Sequence, residues 1–117
     1  MDEHDPAGVV RSQLDAYNRH DVDRFLSFYA SDARIIDRDG AVLDEGHEAM
    51  RKTFTELFIR MPEVRAEYRV VIEVGEWVAV HDVVPNWQMR DGPEQEMQWL
   101  AVYRVVGRKI KELRLYY

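Results

Sequence analysis

Apolar residues change their spacing once along this chain. Up to about residue 61 they recur every three or four positions; from residue 65 they alternate with polar ones. Asp5-Pro6 reads as an N-cap followed by proline at the first helical position. Val10, Leu14 and Tyr17, with Gln13 on the same side, then predict a helix from Pro6 to about Arg19. Asp21 reads as the cap of a shorter helix with the stripe Val22, Phe25, Leu26 and Tyr29. "ARIID" (33–37) is a short strand, and Asp39-Gly40 a turn signal. A third helix starts at Gly46 or His47 and puts Ala49, Met50, Phe54, Leu57 and Phe58 on one side. Met61-Pro62 ends it, because proline disfavours helical geometry in the residue before it.

The second half reads as strands over 65–74, 77–89, 95–106 and 109–117. Gly75-Glu76, residues 90–94 and Gly107-Arg108 are the connections, which gives a meander of long antiparallel strands. In the first of these strands Tyr68, Val70, Ile72 and Val74 share a face. Helices followed by a run of strands predict an α+β fold, with three helices packed on one face of a curved sheet. A strongly curved sheet covered in this way leaves a cone-shaped cavity, a natural place for small-molecule chemistry.

Side chains alternate between the two faces of a strand. In 95–105 the odd positions Met97, Trp99, Ala101, Tyr103 and Val105 carry the aromatics and should face the helices. In the last strand Leu113, Leu115 and Tyr117 share one side. For 77–87 parity alone does not choose, because both sets are mostly apolar. His81 and Asp82 must therefore point to opposite faces, and a bulge near Pro85 would change the register beyond it.

Composition narrows the function. The 117 residues suit one domain, 1–117, with about two-thirds of its surface buried on folding. A net charge of −6 disfavours nucleic acid and anionic membranes as partners. There is no cysteine, hence no disulfide, thiol nucleophile or cysteine metal site. "MDEHDPAG" is acidic and unlike a secretory signal, and no apolar run approaches the length of a membrane span, so the cytoplasm is the expected location. His4, His20 and His47 read as surface or cap residues. The histidines are scattered, with no metal-ligand spacing, and no phosphate loop or nucleophile elbow is present. No metal and no cofactor are expected.

The ordered series "AYNRHDVDRFLSFYASDARIID" (16–37), "GHEAMRKTF" (46–54) and a four-strand meander ending "GRKIKELRLYY" resembles the SnoaL-like group. That group belongs to the nuclear transport factor 2-like superfamily, with its ketosteroid isomerases, polyketide cyclases and scytalone dehydratase. The resemblance implies a cone-shaped, cystatin-like α+β barrel with an apolar pocket, and a homodimer formed through the outer sheet face. It also implies that His81 looks into the pocket and Asp82 out of it, with Trp99, Ala101 and Tyr103 lining the same space.

Asp37 falls where ketosteroid isomerases place their carboxylate base. Their oxyanion hole does not carry over: Gln13 stands in place of its tyrosine and Ala101 in place of its protonated acid. The resulting expectation is acid–base chemistry on a small apolar molecule, namely isomerisation, cyclisation or dehydration. Asp37 would be the base, His81 its acid/base partner across the cavity, and Tyr17 and Tyr103 the donors to a bound oxygen. Gln13, Val83, Trp87, Trp99 and Ala101 would contact the substrate. The alternative is a non-catalytic dimeric domain, a ligand carrier or interaction module, with Trp87, Trp99 and Tyr103 filling the cavity themselves.

Overall fold

The computed structural model describes residues 5–89 and 92–117. His4, and Arg90 and Asp91 of the expected 90–94 connection, lie outside the described residues. The elements run α1 (Pro6–Asn18), α2 (Val22–Ser27), β1 (Tyr29–Ile36), β2 (Val42–Glu45), α3 (Gly46–Arg60), β3 (Glu67–Val74), β4 (Trp77–Gln88), β5 (Glu94–Val106) and β6 (Lys109–Tyr116). Six strands form one curved sheet in the order β2-β1-β6-β5-β4-β3. The three helices cover its inner face, with Val10, Phe25 and Met50 packed against Val78, Val80 and Ala101 in one core. This is the expected α+β class. The sheet is mixed and open, because β1 runs parallel to β6 while the other neighbours are antiparallel. No described helix is long and apolar enough to cross a membrane.

Several local expectations meet tertiary structure. Asp21 caps α2, accepting from the Arg24 amide at 3.1 Å. Asp5 sits at the start of α1 but makes no side-chain cap. Glu73, on β3, supplies the carboxylate instead and accepts from the Ala7 amide at 2.8 Å. A negative charge there also suits the positive end of the helix dipole. Tyr29, placed on the α2 stripe by its spacing, is the first residue of β1. There the Ile110 amide donates to the Phe28 carbonyl at 2.8 Å, so strand pairing overrides helical periodicity. The short strand β2 was not foreseen; its four residues pair only with β1, at the sheet edge.

Two irregularities set which side chains face inward. Between Val84↔Met97 and Trp87↔Gln95, β4 spends Pro85 and Asn86 against the single Glu96 of β5. This is a β-bulge, and it swaps the inward parity of β4 on its two sides. Before the bulge the inward residues are the even ones, opposite Trp99, Ala101 and Tyr103; beyond it, Trp87 faces in. A second bulge at Arg69 pairs Tyr68 with Asp82 but Val70 with His81. Tyr68 therefore faces the helices, whereas Val70, Ile72 and Val74 lie exposed on the outer face, contrary to the single shared face expected for all four.

The segment between α3 and β3 closes one end of the cone. The Asn18 side chain donates to the Ala66 carbonyl at 3.0 Å and accepts from the Ala66 amide at 2.8 Å. The His20 ring stacks on Phe58 at 4.2 Å and donates to the Val64 carbonyl at 2.9 Å. Replacing Asn18 by alanine leaves both polar groups of the buried Ala66 unpaired. It should lower stability by about 1–2 kcal/mol, read from urea unfolding, and an unchanged midpoint would contradict this anchoring role.

Candidate active site

A cavity of about 480 Å³ opens between the helices and the inner sheet face. That volume is ample for a drug-sized ligand. Trp87, Trp99 and Tyr103 border this space rather than fill it. Trp87 and Trp99 meet edge to face at 5.2 Å on one wall. Tyr17 contributes another, packed against Phe25, Phe54 and Phe58 with ring centroids 5.2–6.2 Å apart.

The polar content of the cavity is concentrated at Gln13 on α1. Gln13 is buried, and its side-chain nitrogen donates to the Val10 carbonyl at 2.9 Å and to the Tyr68 hydroxyl at 2.6 Å. The Val10 carbonyl can only accept, which settles the amide's orientation. The Gln13 carbonyl oxygen then accepts from the Tyr29 hydroxyl at 3.0 Å. Tyr68 and Tyr103 hydroxyls lie 2.7 Å apart and share one hydrogen bond. Two hydroxyls carry two protons and one bond uses one of them. Whichever tyrosine donates, the other keeps a proton for a further acceptor. Burial raises the Tyr29, Tyr68 and Tyr103 hydroxyls well above their ordinary range, and Tyr17 likewise, so all four remain donors at neutral pH.

Asp82 projects into this space from the middle of β4, opposite Tyr68 on one side and Trp99 on the other. Its Oδ1 is buried and has no hydrogen-bond partner among the described residues. Burial pushes its carboxyl up to about 7, against the opposing pull of the His81 charge. That makes Asp82 an acid/base group poised at neutrality.

His81 is not in the cavity, which corrects the inward orientation expected for it and the outward one expected for Asp82. The His81 ring lies on the outer sheet face, opposite Val70 and Leu100, with Nε2 2.6 Å from Gln98 Oε1. The cause is the bulge at Pro85-Asn86, which puts the even residues of β4 inward ahead of it. Val83 shares the outward parity of His81; it is fully buried but does not line the cavity. Ala101 faces inward and is buried in the core without reaching the cavity wall. Asp37 sits at the rim just after β1, where Oδ1 accepts from the Arg38 amide at 2.8 Å and the Tyr117 hydroxyl at 2.9 Å. The structure thus brings Gln13, Tyr17, Asp37, Trp87, Trp99 and Tyr103 to one cavity and leaves His81 behind the sheet.

Asp82, Tyr68 and Tyr29 were missed as site residues. A signal for Asp82 existed: apart from it, the inward set ahead of the bulge is Val78, Val80 and Val84, all at most 2% exposed. The opposing set carries Trp77, His81 and Pro85, a poorer match to a core face.

The architecture is that of the cystatin and nuclear transport factor 2-like folds. The chain belongs to the SnoaL-like domain family, which matches residues 10–113. A cystatin-fold protein from Novosphingobium aromaticivorans, described as uncharacterized, superposes with a TM-score of 0.88 at 27% identity, over 97% of this chain and 98% of that one. A putative polyketide cyclase from Sinorhizobium meliloti gives 0.78 at 19% identity, over 92% and 93%. AclR, a putative hydroxylase from Streptomyces galilaeus, gives 0.75 at 18% identity, over 95% and 77%. The last two likenesses establish the fold alone. No curated protein matches the chain at a significant level.

The position of Asp82 has a measurable consequence for stability. Unfolded, its carboxyl ionises near 3.8; folded, near 7. Below the lower value both states hold the proton and the full contribution is present. As pH rises toward 7 the unfolded chain ionises first, so stability falls through this window. From about pH 5 to about pH 8 the loss should be on the order of 2 kcal/mol. Asp82→Asn should abolish that part of the pH dependence in urea unfolding; an identical dependence in both proteins would show that Asp82 is not buried.

Proposed function

We propose that this protein binds a small, largely apolar carbonyl compound in the cavity and catalyses cofactor-independent proton transfer on it. Ionised Asp82 takes a proton from the carbon next to the carbonyl. The electron pair of that C–H bond becomes the C=C bond of an enolate, and negative charge develops on the oxygen. The uncommitted hydroxyl proton of the Tyr68–Tyr103 pair donates to that oxygen, with Tyr17 as a second donor. Return of the proton at the same carbon exchanges it, and return at another isomerises the substrate. Asp37, at the rim, is a second carboxylate within the same cavity, but two donors already occupy its Oδ1. The observation that carries this reading is a buried carboxyl near neutrality facing a hydroxyl pair with a proton to spare.

A cyclic ketone such as tetralone, deuterated beside its carbonyl, tests it by NMR. Exchange should rise about tenfold per pH unit up to near pH 7 and then level off. Asp82→Asn should slow it by about 100-fold or more, and Tyr103→Phe by about tenfold. If Asp82→Asn exchanges like the wild type while Asp37→Asn does not, the base is Asp37. If the ketone binds and no exchange occurs, the domain is a carrier, the second reading that the cavity supports.

We also propose a homodimer through the outer sheet face. Val70, Ile72, Trp77 and Leu100 are 40–55% exposed there, a large apolar surface for a lone domain. Ile72→Glu with Leu100→Glu should halve the mass seen in sedimentation; a wild type already monomeric would refute the dimer. A chain without cysteine needs no oxidising compartment, and the cytoplasm suits it.

A further inference from the structure

The cavity is one-sided in charge. Among the described residues that line it, Asp82 and Asp37 are carboxylates and none is lysine, arginine or histidine. Asp37 Oδ1 has its donors in the turn backbone and Tyr117. Asp82 Oδ1 has none. Tyr29 donates to Gln13 and one proton of the Tyr68–Tyr103 pair bridges the two hydroxyls, while neither hydroxyl of that pair lies within hydrogen-bond distance of Asp82 Oδ1. A buried carboxylate without a donor is costly, and a donor can arrive only with whatever fills the cavity. The walls beside it are ring faces and edges: Tyr17, Phe25 and Phe54 lie 4.6–6.2 Å apart, and Trp87 and Trp99 close the other side. Such rings attract cations as well as hydrocarbon.

We infer that the cavity is also a binding site for hydrophobic amines, with the ammonium group donating to Asp82 and the hydrocarbon body lying among the rings. Anionic ligands are disfavoured, since two carboxylates and no cation stand among the described lining residues. The site is the one proposed for proton transfer, but this inference rests only on Asp82 facing the cavity, and no chemistry is required of it. An amine seated on Asp82 occupies the base, so it competes with a carbonyl ligand.

The charged and titratable groups around Asp82 fix the pH dependence. Tyr17 on α1, Tyr29 on β1, Tyr68 on β3 and Tyr103 on β5 stay neutral, and Asp37 lies at the rim. His81, behind the strand, favours the ionised carboxylate. Amine affinity should therefore rise with pH until Asp82 is ionised, then level off while the amine keeps its charge.

Calorimetric titration with phenylbutylamine, phenylbutanol and phenylbutyrate, three probes sharing one hydrocarbon body, tests the inference. At about pH 8 the amine should bind the wild type roughly tenfold or more tighter than the alcohol, and the acid should show no binding. Asp82→Asn should bring amine and alcohol within about threefold of each other, while Asp37→Asn should keep the preference. Between about pH 5 and 8 the amine should gain roughly tenfold or more in all as Asp82 ionises, and the alcohol nothing. Equal affinity of amine and alcohol for the wild type overturns the inference, as does a preference that survives Asp82→Asn or is lost only in Asp37→Asn. Amine preference without ketone exchange defeats the proton-transfer reading alone, and exchange without amine preference defeats this inference alone.

Discussion

Pro85 and Asn86 of β4 stand opposite the lone Glu96 of β5, and the chemistry of the cavity depends on that surplus residue. A strand is a two-state device: each residue faces one side or the other, and a shift of one position exchanges the faces. With the bulge, Trp87 beyond it and Asp82 before it both look inward, although their numbers differ in parity. An unbroken strand could not present both. The bulge is held from outside the sheet as well, because Asn86 donates to the Glu63 carbonyl at 2.7 Å and thereby ties the surplus residue to the segment after α3.

The interior that results is divided into a satisfied half and an unsatisfied one. Gln13 completes its hydrogen bonds with Val10, Tyr29 and Tyr68, and this joins α1 to β1 and β3 by directional contacts. Satisfied polar networks of this sort fix one arrangement of packed elements. Asp82 stands beside that network with an unpartnered oxygen, at a cost to stability that grows with pH. Uncompensated burial of a carboxyl is the usual physical mark of a functional group. The proton-transfer and amine-binding proposals both start from it, one using the carboxylate as a base and the other as a counter-ion.

Much of the fold was legible because its signals are local or periodic. The helical stripes around Val10, Phe25 and Phe54 and the alternation through Trp99, Ala101 and Tyr103 all lead to the observed core. The cap at Asp21 works because its partner is three residues away. What escaped was non-local. Glu73 caps α1 from 66 positions away, and β1 finds its parallel partner at the other end of the chain. The site was legible in part for the same reason. Tyr17 and Tyr103 reach the cavity as helical spacing and the parity of β5 predict, Asp37 reaches its rim from the end of β1, and Trp87 faces in because it lies beyond the bulge. His81 and Asp82 were exchanged because both parities of β4 are apolar, so one residue of bulge outweighs the pattern. Tyr68 was grouped with Val70 for want of any sign in the sequence of the bulge at Arg69.

The decisive point is that Asp82, and not its neighbour His81, is the titratable group inside the cavity. Its most direct test is a carbon-13 NMR titration of the aspartate side-chain carboxyls, with the Asp82 resonance assigned by its loss in Asp82→Asn. The midpoint for that carboxyl should lie near 7. A midpoint near 4, the ordinary value for an aspartate in water, would contradict it and return Asp82 to the outer face of the sheet.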